Sequence, residues 1–445
     1  MSQRVGFRRS RLFVHFSAFS LGVAAVGAAR AELPSIVHAD AAVTSPVPGL
    51  DGSLGTRQKV VIDGGAQEDY FGWAVAIDGD TALVGAYGVT VSGREQQGSA
   101  YVFTKADGLW TLAATLVAND GRPFDIFGDA VALSGGVAAI GAYQAGNRGT
   151  VYVFTGSGTH WTQKARLDAD DGATGDCLGW SVAVANQTVL AGAPFAFFDG
   201  VQHGAVYAFA PTGGVWGQRQ KFTSDDPGVG DFFGNAIAMD GTTAVIGADS
   251  KEVGGNVVQG AAYVFDGAGG TWVQQAKLTS DDGVAYDNFG RSVAISGSTV
   301  LVGTPYATVD GNAFEGAVYA FDSDGTSWQQ TAKLVASDGR SEGYFGWSVA
   351  VSGDGALVGA NAFNDNAPGE AYAFARSAGT WSETAALTSG DGNGVDFFGW
   401  SVALSGANAA IGEPFAYIDG NYAQGAVYFY DAPSDRIFAD GFDTP

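Results

Sequence analysis

The sequence predicts an all-β fold: a seven-bladed β-propeller of four-stranded blades, with the ring closed by an N-terminal strand. Three observations carry this. A Phe-Gly step recurs at Phe71-Gly72, Phe127-Gly128, Phe233-Gly234, Phe289-Gly290, Phe345-Gly346 and Phe398-Gly399, and Leu178-Gly179 stands in for it once. Successive spacings are 56, 51, 55, 56, 56 and 53 residues, so seven near-equal units follow one another. Each unit holds four short runs rich in Val, Tyr, Phe and Trp between Gly and Asp turns, and none shows a helical period. Four strands repeated seven times make a propeller.

The unit beginning at Phe289 shows the order of elements. SVAIS (292–296) and TVLVG (299–303) read as the first two strands, joined by a tight Ser-Gly turn. They are apolar on both faces, as expected for strands sandwiched between neighbouring blades. A loop of variable sequence follows, then GAVYAFD (316–322), a Gly-Thr turn and TSWQQTAKL (326–334). Tyr319, Phe321 and Trp328 fill the wider gaps further from the axis. The last unit ends at its third strand, GAVYFYD (425–431), whereas RQKVVIDGG (57–65) precedes the first unit and matches a fourth strand without its Trp. Residues 57–62 are therefore expected to supply the outer strand of the seventh blade, removing an open edge.

Composition agrees with this architecture. The 445 residues include 68 Gly, 29 Phe, 16 Tyr and 10 Trp, and only 15% are charged, which excludes a disordered chain. Residues 1–31 read as a secretory signal peptide. MSQRVGFRRSRLF holds four arginines, an apolar run follows, and Ala29-Arg30-Ala31 offers a cleavage site. Five of the 22 basic residues and none of the 46 acidic ones lie there, so cleavage leaves 17 against 46, a net charge of −29. That surface excludes nucleic acid as a partner, and no membrane insertion is expected after cleavage. Cys177 is the only cysteine and reads as a small buried hydrophobe. An exported chain without disulfides needs a large single core. Residues 32–56 read as a disordered linker, 57–431 as the propeller, and 432–445 as a C-terminal tail.

Phe-Gly followed by Gly192-Ala193-Pro194, and by the variants Gly141-Ala142-Tyr143 and Gly412-Glu413-Pro414, resembles the FG-GAP repeat in its bacterial branch. The resemblance spans about residues 57–431 and implies the seven-bladed propeller of integrin alpha chains and of many bacterial surface proteins. It does not carry over the calcium loops found between the first two strands of integrin-like repeats. The corresponding turns here, such as AIDGDTA and AISGSTV, are too short and too poor in carboxylates.

Two sets of carboxylates precede the Phe-Gly steps. One lies two residues before the aromatic, at Asp69, Asp125, Asp176, Asp231, Asp287 and Asp396; the other lies seven before, at Asp120, Asp171, Asp226, Asp282, Asp338 and Asp391. Sevenfold recurrence reads as architecture, with Asp accepting backbone N–H groups in tight loops. The rival reading is calcium, held by pairs such as Asp171 with Asp176, Asp226 with Asp231, and Asp282 with Asp287. No cofactor is otherwise implied.

Candidate ligand-binding residues fall in the loops between second and third strands: Phe197, Phe198 and Asp199; Tyr306, Asp310 and Phe314; Tyr417, Asp419 and Tyr422. Aromatics beside carboxylates on a rigid scaffold suit sugar or protein contact. No His-pair metal motif, nucleophile elbow or phosphate loop appears. The sequence thus reads as an exported, monomeric, non-catalytic binding or adhesion module for an extracellular glycan or protein. Two other readings stand beside it. One is a secreted hydrolase or lyase acting on polysaccharide or phosphodiester, since FG-GAP propellers accompany catalytic domains in some phospholipases. The other is a purely structural envelope protein.

Overall fold

The computed structural model describes residues 57–362, 368–390 and 395–431. The expected signal peptide, linker and tail, and Asp391, lie outside them. The described chain forms seven four-stranded antiparallel sheets arranged as the blades of a propeller, with no α-helix among the described residues. Blade 5 runs Ser292–Ser296, Thr299–Thr304, Ala317–Ser323 and Trp328–Leu334, each strand pairing with the next. The first strand of every blade touches the first strands of both neighbours, so seven of them surround an axial channel. In blade 7, Ser401–Ser405, Asn408–Glu413 and Ala426–Asp431 are joined by Arg57–Val60, which pairs antiparallel with Ala426–Asp431.

The core differs from the expected single one. Seven apolar clusters form, each between two adjacent blades. The reason is geometric: a blade is one sheet thick and buries its faces only against its neighbours. The Phe of each Phe-Gly step is the wedge. Phe289 packs against Tyr319 of its own blade, with ring centroids 5.7 Å apart, and shares a cluster with Ala262 of the preceding one. Phe71, Phe127, Phe233, Phe345 and Phe398 make the same contact with Tyr101, Tyr152, Tyr263, Tyr372 and Tyr428 at 5.2–5.7 Å. Leu178 clusters with Tyr207 instead.

The glycines explain the rest of the repeat. The Gly near the end of each second strand, in a Gly-Ala step or in its counterparts Gly303-Thr304 and Gly412-Glu413, lies against the carbonyl of the next blade's Phe-Gly glycine. An added Cβ would sit 2.0–2.1 Å from that oxygen at all seven joints, from Gly85 against Gly128 round to Gly412 against Gly72. No side chain fits there. Each Phe-Gly glycine also has a φ between +86° and +96°, the left-handed region that glycine enters without steric cost.

Candidate functional site

The loops between second and third strands and those leading from a fourth strand into the next blade share one face. Phe124, Ile126 and Phe127 donate their backbone N–H groups to Glu95, Gln96 and Gln97, and Tyr286, Asn288 and Phe289 donate to Val257, Val258 and Gln259.

Carboxylates of both sets on this face bond to the protein itself. Asp69, Asp125, Asp176, Asp231 and Asp287 each accept the backbone N–H three residues earlier, at 2.6–2.8 Å. Burial pushes the carboxyls of Asp176 and Asp287 up, and Asp69 rises to about 6. The second set clasps the next blade: Asp282 accepts from the Tyr319 hydroxyl and the Lys333 ammonium, both at 2.6 Å. Asp171 meets Tyr207 and Lys221 at 3.0 and 2.6 Å, and Asp226 meets Tyr263 and Lys277 at 2.7 and 2.6 Å. Partial burial works against ionisation of Asp171, Asp226 and Asp282. The bonds from lysine and tyrosine outweigh it and hold these carboxyls below the usual range. Among the described residues, no three or more His, Cys, Asp or Glu side chains converge on a point that could hold a metal ion. Replacing Asp287, which is 4% exposed, by Ala leaves the Val284 N–H without its acceptor. The expected loss is about 1–2 kcal/mol of stability, read by urea denaturation, with a melting temperature that a chelator does not move in the parent.

The nine candidate binding residues occupy three separate blades. Phe197 and Tyr417 point outward, 53% and 56% exposed. Phe198 packs near His203 and beneath the Lys221 ammonium. Tyr306, Phe314 and Tyr344 form one aromatic cluster, with Phe314 stacked on Tyr344 at 6.2 Å. Tyr422 reaches Phe415 at 6.5 Å. Asp199, Asp310 and Asp419 shape the backbone, since each occupies the first corner of a two-residue turn, at φ of 49–50°, with a left-handed Gly after it. The same turn recurs at Ser92-Gly93 and Gly254-Gly255. Hence the loop 304–316 does have counterparts in other blades, contrary to what its variable sequence suggests. Asp-Gly is a sequence that favours this type I′ turn. Cys177 is only partly buried, its thiol pushed up to about 11 chiefly by burial.

Two features escape the sequence reading. First, among the described residues eleven of the fourteen exposed large hydrophobic side chains lie on this loop face. Only Leu109, Val215 and Val273 do not: they open fourth strands at the opposite face. Phe124 and Tyr286, 48% and 62% exposed, were detectable as the residues three before a Phe-Gly aromatic.

Second, the residue after each Phe-Gly step stands at the mouth of the channel: Trp73, Asp129, Trp180, Asn235, Arg291, Trp347 and Trp400. Each donates its N–H to the carbonyl three residues back, closing a turn that leads into the first strand. The residue at the bend has positive φ in all seven, including Tyr70, Ile126, Phe232 and Phe397. Such bends cost bulky residues roughly 1–2 kcal/mol each. Trp347, Trp400 and Trp73 form a continuous arc, with successive centroids 5.2 and 4.5 Å apart. Tyr87 meets Trp73 at 4.7 Å, and Phe415 lies 5.8 Å from Trp400. The Arg291 guanidinium lies 4.9 Å from the Trp347 ring centre and 3.8 Å from Asp249. Burial pushes Asp129 up to about 7, with the Trp73 indole acting in the opposite direction. The recurring Phe/Leu-Gly-Trp triplet was the signal for this ring.

A closed propeller whose exposed apolar surface gathers on one loop face has the build of a binding module. The chain belongs to the FG-GAP repeat family, whose model matches residues 55–103, 110–154, 161–209, 216–265, 272–321, 328–374 and 381–430. Every match starts within two residues of the beginning of an outer strand and ends in the third strand of the following blade. A comparison with curated proteins finds no significant match. Among the described residues, no helix is long and apolar enough to cross a membrane.

Proposed function

We propose that this protein is an exported, non-catalytic binding or adhesion module whose loop face meets an extracellular glycan or protein. The observation that carries the reading is the gathering of eleven exposed hydrophobic side chains on that face. Isolated surface hydrophobes are ordinary, but such a grouping marks an interaction surface. The basic and apolar N-terminal run supports export. The acidic surface supports a partner that is not nucleic acid.

The test is a glycan array and immobilised cell-surface extract, each with and without calcium. It compares the parent with Phe124→Ser, Phe197→Ser, Tyr286→Ser and Tyr417→Ser combined. The expected result is binding that falls at least about tenfold in the combined variant and persists in Leu109→Ser with Val215→Ser on the opposite face. Binding that follows the opposite face would overturn the assignment. Turnover of a polysaccharide would replace it with the hydrolase or lyase reading, and no binding at all would leave the structural one.

A further inference from the structure

We propose that the channel mouth on the loop face is a binding site for a short neutral glycan. Its sugar rings would stack on the Trp400 and Trp73 indoles of the Trp347–Trp400–Trp73 arc, and its hydroxyl groups would meet Arg291 at one end of the arc and Asp129 at the other. This rests on the binding-module reading and names the place and chemistry of the ligand.

Four observations support it. The three indoles are adjacent and partly exposed, and with successive planes tilted by 48° and 43° they form a stepped aromatic surface longer than one ring. Flat aromatic faces complement the apolar C–H faces of a sugar, and a few placed polar groups then select its hydroxyls. Those polar groups are held in place: Arg291 lies against Trp347 and beside Asp249, and Asp129 neighbours Trp73. Arg291 already occupies the cation position over a Trp347 face, so the arc is supplied with its own cation and Trp400 and Trp73 are left as the stacking rings. Finally, the chain carries 46 acidic against 22 basic residues. That balance disfavours an anionic sugar.

The test is a tryptophan-fluorescence and calorimetric titration of the full chain. The probes are xylo-, cello-, manno- and chito-oligosaccharides, with oligogalacturonate as the anionic comparison. Trp400→Ala, Trp400→Phe, Arg291→Gln and the opposite-face variant Leu109→Ser are titrated alongside the parent, each first checked by thermal melting. At least one neutral oligosaccharide should bind and shift the indole emission. Its Kd should rise at least about tenfold in Trp400→Ala and Arg291→Gln, about 1.4 kcal/mol or more, and stay within about threefold in Trp400→Phe and Leu109→Ser. Should Trp400→Ala fail to fold, Arg291→Gln and Trp400→Phe decide the matter. Sugar binding that Trp400→Ala and Arg291→Gln leave unchanged, or preference for oligogalacturonate, overturns this inference and leaves the binding module standing. So does a protein ligand that depends on the rim with no sugar bound. If no ligand of any kind is retained, both readings fall.

Discussion

Gly303→Ala is expected to destabilise the propeller by about 3 kcal/mol or more, or to prevent its folding. The new methyl carbon would stand 2.1 Å from the Gly346 carbonyl oxygen and equally close to the Ser292 hydroxyl. Ser292 could turn away, but it donates to that same carbonyl at 2.8 Å. The carbonyl belongs to the backbone of blade 6, so relief requires the two blades to move apart. That would open the cluster in which Phe345 packs against Val318 of blade 5 and Tyr372 of blade 6. Gly303 has no positive φ, so the effect is one of space rather than backbone conformation. Gly217→Ala supplies the comparison: nothing lies within 4 Å of its added carbon, and stability should change by no more than about 0.5 kcal/mol. Urea unfolding of the two variants checks this, and near-equal midpoints would sink the argument.

Deleting residues 57–62 is expected to cost more. Val60 and Ile62 are 0% and 3% exposed and sit in the cluster between blades 7 and 1. Burial of each contributes about 1.5–3 kcal/mol. Gln58 is buried too: its side-chain amide donates to the Trp110 carbonyl and accepts from the Trp110 N–H, both at 2.8 Å. Gln220 holds Trp272 in the same way at another blade joint. Loss of the strand would also expose the edge of Ala426–Asp431 to pairing with a second chain. The deletion should therefore lower the melting temperature by well over about 10 °C and raise light scattering on warming. A shortened chain that melts with the parent and stays monodisperse would refute the closing role.

The repeat was legible because propeller blades are chemically redundant. Phe289, Gly290 and Gly303 do one job each in blade 5, and the same job is done six times elsewhere, so their spacing alone exposed the architecture. The carboxylates were legible for the same reason. Asp287 accepts a backbone N–H because that tight loop must be built at every joint, and Asp282 bonds to Tyr319 and Lys333 because the next blade must be secured. The variable loops hid one regularity. Asp199, Asp310 and Asp419 occupy left-handed backbone, which Asp tolerates and a following Gly completes. Different side chains conceal a turn common to five blades.

Fold class, blade number and the roles of Phe, Gly and Asp in the repeat were written in the chain, because each is satisfied within one unit or between sequence neighbours. The channel mouth was not. Trp73 and Trp400 stand near opposite ends of the chain and come within 4.5 Å only when blade 7 meets blade 1, where Ser401 donates to the Gly72 carbonyl. A linear reading finds Trp after Gly four times and Asp, Asn or Arg in the other units. Only the circle turns those seven residues into one rim with an aromatic arc and polar ends. Local periodicity records what each blade needs; the arrangement around the axis depends on ring closure, which no single repeat encodes.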